Sequence, residues 1–320
     1  MENSSIMSSC VLVFLLVVFS CHASRSCPEF CKCNPGGSEV VCTEVPLVDF
    51  PSDGLPNSTT ILTIQLTNIT SVTEEHLKAT PLLRELHLYG NHLRSLSPHL
   101  LRGVPLLQNL DLTENKLRDL PADVFSHAPL RSLVLKNNLI EEARGEWLPE
   151  NSSLTWLDLS GNLLTKIPTV LLQKLPNLEN LDLSNNRLEK IPPHSLDGLA
   201  KLERLNLQEN KLHSLDASSF QGMHSLTVLT LAHNKLSHLP GNLFQGLTRL
   251  TQLSLDGNEV SRIPEGLFDP LTSLEDGGLD LSGNPLVCEG KAEYVCRWFE
   301  ENKKVILPDS IGTCKCSVSL

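Results

Sequence analysis

Leucine, with occasional isoleucine or valine, returns along most of this chain in one frame, L-x-x-L-x-L-x-x-N-x-L, with mostly polar residues between. The frame's asparagines are Asn91, Asn115, Asn138, Asn162, Asn186, Asn210, Asn234, Asn258 and Asn284, spaced by 24 residues except for one interval of 23 and a last one of 26. Leu178 to Leu188 (LENLDLSNNRL) and Leu154 to Leu164 (LTWLDLSGNLL) are the clearest copies. A further copy begins at Thr59, with Leu62, Ile64 and Ile69 in the apolar slots and Thr67 in the asparagine place, which makes ten repeats. The L-x-L core predicts a short strand whose leucines point inward while the residues between them point outward and are free to vary. Where the chain bends out of the strand its backbone polar groups need partners, and asparagine carries both a donor and an acceptor. Many copies continue as L/I-P-x-x-x-F/L, so Phe125, Phe220, Phe244 and Phe268, with Leu101, Leu172 and Leu196, are expected to stack as a second apolar column behind the strands.

A fixed period of this length describes a solenoid in which each coil packs only on its neighbours. Period and frame resemble those of the leucine-rich repeat superfamily. The resemblance implies an α/β fold, a horseshoe-shaped solenoid with a parallel sheet on its concave side. About ten strands at ~4.8 Å give an arc of roughly 45–50 Å, enough to receive a small globular protein.

The ends predict caps and export. Residues 1–23 carry the apolar run Val11 to Phe19 and a Cys21-His22-Ala23 ending that suits signal peptidase, with Ser24 as the mature start. No later segment is long and apolar enough to span a membrane, so no membrane insertion is expected. Beyond that leader, residues 24–58 form a cysteine-rich N-terminal cap, 59–286 the ten repeats and 287–320 a cysteine-rich C-terminal cap. Cys27, Cys31, Cys33 and Cys42 precede the array, and Cys288, Cys296, Cys314 and Cys316 follow it. In an oxidising compartment disulfides, rather than a metal site, are the expected state. Four cysteines allow three pairings; resemblance to repeat-flanking cap modules implies Cys27 with Cys33, Cys31 with Cys42, Cys288 with Cys314 and Cys296 with Cys316. Asn57, Asn68 and Asn151 begin N-x-S/T sequons, hence expected glycosylation sites in an exported chain.

Charge changes the picture of partners. With 26 basic and 37 acidic residues the chain carries a net charge of −11, which disfavours nucleic acid. Frame position five, which projects from the concave sheet, reads His87, Asp111, Val134, Asp158, Asp182, Asn206, Thr230, Ser254 and Asp280. Such a face should attract basic proteins. Trp156, at position three, and Tyr89, at position seven, are expected on the same face, and an exposed tryptophan is a frequent interface anchor. Trp147 and Trp298 read as structural. Tyr89, Asp111, Trp156, Asp158, Asp182 and Asn206 are therefore the candidate partner-binding residues, and replacing the outward Asp182 by alanine is expected to cost little stability. No H-E-x-x-H, G-x-S-x-G or glycine-rich phosphate loop occurs, and the histidines are scattered. A non-enzyme without cofactor or metal is the expectation.

A finer resemblance rests on LHLYGNHLRSLSPHLLRGVPLLQNLDLTENKLRDLP (Leu86 to Pro121), the sequon at Asn68, the Trp147-Leu148 pair, Gly277-Gly278-Leu279-Asp280 before SGNPLVC, and Arg297-Trp298. These resemble the leucine-rich alpha-2-glycoprotein family of secreted plasma proteins. The chain departs from it in the four-cysteine N-terminal cap and in Cys296 and Cys316. This resemblance implies a circulating, inflammation-associated glycoprotein that modulates transforming-growth-factor-β-type receptor signalling and binds cytochrome c. The alternatives are a non-catalytic regulatory subunit of a plasma enzyme, of carboxypeptidase N type, and a collagen-binding matrix protein akin to the small leucine-rich proteoglycans. A lamprey-type variable lymphocyte receptor fits less well, since neither anchor nor stalk is evident.

Overall fold

Each copy of the leucine frame becomes one coil. The computed structural model describes residues 27–287 and 293–310, so the expected signal peptide lies outside the described residues. Twelve short strands form a single sheet in chain order: β1 (Lys32–Cys33), β2 (Glu39–Thr43), β3 (Ile61–Gln65), β4 (Glu85–His87), β5 (Asn109–Asp111), β6 (Ser132–Val134), β7 (Trp156–Asp158), β8 (Asn180–Asp182), β9 (Arg204–Asn206), β10 (Val228–Thr230), β11 (Gln252–Ser254) and β12 (Leu279–Asp280). Only β1 and β2 pair antiparallel; from β2 onward every neighbour is parallel. Register follows the frame, with Leu157, Leu181, Leu205 and Leu229 aligned across four strands. Each of these leucines is at most 2% exposed, and the residues on either side of each in its strand are not buried. A one-residue slip would turn all of these leucines to solvent.

The asparagines form a ladder inside the bend. Asn186 is typical: its Oδ1 accepts from the Leu164 N–H of the preceding coil at 3.0 Å, and its Nδ2 donates to Leu159, Leu183 and Ser184 carbonyls at 2.9–3.2 Å. The same contacts recur at Asn162, Asn210 and Asn234. In the first repeat Thr67 stands in the asparagine place without its contacts, and its hydroxyl is a donor to Asn91 Oδ1 of the next coil at 2.6 Å. Frame position eight, one residue before the asparagine, is left-handed in every repeat, from Leu66 (φ 55°) through Asn185 and Glu209 (both φ 52°) to Gly283 (φ 67°). This explains why glycine and asparagine crowd a place that otherwise looks unconstrained.

Behind the sheet the return segments are short: α1 (Glu74–Leu77), α2 (Thr169–Leu172) and 3₁₀ turns at Leu100–Gly103 and Gly145–Trp147. Their apolar residues form the second column, with Phe125, Phe220, Phe244 and Phe268 each at most 1% exposed. Trp147 is buried within it.

Both ends of the column are closed. At the N-terminal end Cys27–Cys33 and Cys31–Cys42 are bonded, and the second ties the loop before β1 to β2 under the first coil. At the other end α3 (Glu293–Glu301) lays Trp298 against Phe268, ring centroids 5.1 Å apart, continuing the Phe244–Phe268 stack. The Tyr294 hydroxyl fastens this helix by donating to Asp269 and accepting from the Phe268 N–H, and burial pushes its pKa up to about 12. Cys296 is disulfide-bonded, while Cys288, Cys314 and Cys316 lie outside the described residues.

Candidate functional site

The concave face is the outward side of β3–β12, built from strand residues that the inward leucines hold in rows. Trp156 and Asp158 share one face of β7, with Asn180 and Asp182 beside them on β8 and Arg204 and Asn206 next on β9. Trp156, Asp158, Asp182 and Asn206 are thus neighbours across three adjacent strands. Trp156 is 44% exposed although it sits in the sheet. Asn206 Nδ2 donates to Asp182 Oδ2 at 3.0 Å, linking the last two. Tyr89 and Asp111 form a second group at β4–β5, where interaction with the Glu114 carboxylate, burial and the Asp111 charge hold the Tyr89 phenol above its ordinary pKa. Between the groups lies β6 with Ser132 and Val134.

The position-five carboxylates also have a structural task that the sequence reading did not assign. Asp182 Oδ1 accepts from the Ser184 N–H at 2.8 Å, and the same i to i+2 bond joins Asp111 to Thr113, Asp158 to Ser160, Asn206 to Gln208 and Asp280 to Ser282. These Asx turns carry the chain from strand into bend. The expectation that Asp182→Ala is nearly free is therefore corrected: losing bonds to Ser184 and Asn206 should cost about 1 kcal/mol, measurable by denaturant unfolding. A change within a few tenths of a kcal/mol would mean that the turn holds without its carboxylate.

Each carboxylate satisfies the backbone with one oxygen, and among the described residues the second oxygens of Asp111 and Asp158 accept no hydrogen bond. Burial holds the Asp158 carboxyl above its ordinary pKa, reinforced by the Asp182 charge and opposed by the bond from Ser160 and by Lys136. The face is acidic but not uniformly so, since Arg204 and Lys136 also emerge on it. Both were missed because only position five was read as a row; positions three and seven hold them.

Elsewhere on the molecule, an open groove of about 910 Å³ lies between Glu141–Glu146 and Leu163–Val170 and includes none of the concave residues. Among the described residues no cluster of histidine, cysteine or carboxylate is arranged to hold a metal. No helix there is long and apolar enough to cross a membrane.

The leucine rich repeat family model matches seven overlapping stretches that run from residue 57 to 286, well over half of the chain. This chain belongs to the leucine-rich repeat family. Leucine-rich repeat-containing protein 3B of Homo sapiens, Mus musculus and Bos taurus is 33% identical over 96 residues, 29% of this chain and 37% of the relative. Phospholipase A2 inhibitor beta of Elaphe climacophora is 33% identical over 88 residues, 27% of this chain and 26% of the inhibitor. Among solved structures, the crystal structure of a TLR13–ssRNA13 complex contains a similar chain, with a TM-score of 0.65 and 26% identity over 77% of this chain and 40% of that one. The matches thus span well under half of these proteins' own lengths. The strand residues that vary from coil to coil are the ones that face outward.

Proposed function

We propose that this leucine-rich repeat protein is a secreted, non-catalytic protein-binding module whose concave face, centred on Trp156, Asp158, Asp182 and Asn206, receives a basic globular partner. The observation that carries this reading is the half-exposed Trp156 indole set among carboxylates on a rigid sheet. An apolar anchor ringed by charge gives affinity from the one and orientation and on-rate from the other. Tyr89 and Asp111 extend the surface toward the N-terminal cap. The two N-terminal disulfides support export, and Asn57, Asn68 and Asn151 are all exposed, as glycan acceptors must be. A glycan on Asn68, just past β3, would shield the N-terminal rim and leave β7–β9 open.

The finer assignment, modulation of transforming-growth-factor-β-type receptor signalling in inflammation, rests on the resemblance to the leucine-rich alpha-2-glycoprotein family. A second reading is favoured by the similarity to a phospholipase A2 inhibitor: a regulator that occupies an extracellular enzyme, as the carboxypeptidase N alternative also supposes.

The structure supplies a clean test. Asp158→Asn/Asp182→Asn removes two charges but keeps an amide oxygen for the Ser160 and Ser184 N–H groups, as Asn206 already does for Gln208. With cytochrome c as a basic probe, wild type should bind at low salt and weaken as salt rises. The double variant should bind roughly tenfold more weakly, about 1.4 kcal/mol, with only a small fall in melting, since Asp182→Asn keeps the bond from Ser184 but loses the one from Asn206. Equal affinity of the two proteins would remove the acidic face from the function.

A further inference from the structure

Frame position ten lies just beyond the asparagine ladder, on the rim where the chain leaves the sheet. In three successive coils it is Arg187, Lys211 and Lys235, each exposed between a buried asparagine and a buried leucine. The alternation fixes their direction, since a side chain between two inward residues must point out. Their spacing is fixed as well: the N–H of each donates at 2.8 Å to the position-eleven carbonyl of the preceding coil, namely Leu164, Leu188 and Leu212. The three cations therefore stand in one line at about the interstrand repeat of ~4.8 Å. Exposed Lys166, Lys190 and Arg262, at position thirteen of nearby coils, widen the line. Among the described residues none of these six has an ion-pair partner within 4.0 Å, although acidic residues outnumber basic ones in the chain. Exposed Glu189 interrupts the stripe and Glu259 ends it.

Like charges held side by side on neighbouring strands repel one another. A ligand that neutralised them in sequence would convert this repulsion into affinity, and the row is regular from coil to coil, so the ligand must be a linear polyanion with anionic groups at comparable intervals. We infer that this rim binds a sulfated polysaccharide of the glycosaminoglycan type, whose sugar rings repeat at a length similar to the coil spacing. The disulfides support the exported location proposed above, where such polymers occur. Stacking of exposed bases would call for aromatic side chains along the row, and its residues are cationic, which favours the polysaccharide over single-stranded nucleic acid. The rim is separate from the acidic concave face, so polysaccharide and protein partner could be held at once.

The test uses the full glycosylated chain, a defined heparin oligosaccharide and a single-stranded RNA of matched charge. Binding is followed over a salt series for wild type, Arg187→Glu/Lys211→Glu/Lys235→Glu, its triple-alanine counterpart, and the charge-matched control Lys32→Glu/Arg102→Glu/Lys201→Glu. The glutamate variant should lose at least tenfold in affinity for heparin. The alanine variant should lose less and flatten the log–log salt dependence by roughly 2, at ~0.7 per contact as for single strands. The control should bind as wild type, and all should melt alike. Unchanged heparin binding in both rim variants, or an equal loss in the control, overturns the rim site. Tighter binding to RNA than to heparin overturns the choice of polysaccharide.

Discussion

Replacing Asn186 by alanine should cost on the order of 2–4 kcal/mol, although the residue contributes no apolar surface to the core. The substitution orphans the buried Leu164 N–H, which has no other acceptor among the described residues. It also removes three donations to the carbonyls of Leu159, Leu183 and Ser184. Those carbonyls keep partners, because Asn162 also donates to Leu159, Asn210 to Leu183 and the Gly161 N–H to Ser184. The penalty is therefore one unsatisfied buried donor, of ~1–3 kcal/mol, plus the lost bonds and a small void. For a domain of this size, 3 kcal/mol corresponds to a melting shift of about 6–12 °C. Asn186 sits mid-array, and a solenoid is held together only by contacts between adjacent coils, so the defect should weaken coupling between the two halves and broaden or split the transition. A loss below about 1 kcal/mol would mean that water replaces the ladder.

The same asparagines show how much of the fold was legible in the sequence. An eleven-residue frame repeated at nearly constant spacing leaves little freedom: inward leucines, parallel register and the asparagine bends all follow from it, and the sheet of β3–β12 matches the ten copies. Less visible were constraints that act on the backbone and not on the apolar pattern. Position eight is left-handed throughout, and Leu66, Glu114, Glu209 and His233 tolerate it beside glycine and asparagine. Its only trace was a surplus of Gly and Asn. Position five looked like a pure recognition row because its residues point outward, yet Asp182 and its equivalents hold the turn that ends each strand. The i to i+2 geometry of an Asx turn leaves the same L-D-L-S string that an acidic binding surface would leave. The candidate site was legible as a set of rows, but the division into a β4–β5 group and a β7–β9 group needed the register. The cationic rim escaped because charge was read along position five and otherwise summed over the chain, while the rim lies at position ten.

Trp156 to alanine should reduce affinity for a concave-face partner by about 2 kcal/mol or more, which is roughly thirtyfold. The indole stands between Ser132 on β6 and Asn180 on β8, side chains too small or too polar to cover it, so water contacts 44% of the residue in the free protein. A partner that displaces this water gains the burial of a large aromatic side chain that has only two side-chain torsions to order. Stability should change by no more than about 0.5 kcal/mol, as at other surface positions away from special features, because the core below is made by Leu157 and its aligned leucines. The other two tryptophans help the measurement: Trp147 and Trp298 are 1% and 8% exposed, so an aqueous quencher should reach Trp156 alone. Binding at β7–β9 should protect wild-type fluorescence from acrylamide, and Trp156→Ala should lose the quenchable component together with the affinity. Full affinity without Trp156, or quenching undiminished in the complex, would move the partner off β7–β9 and leave the indole as an exposed residue of the sheet.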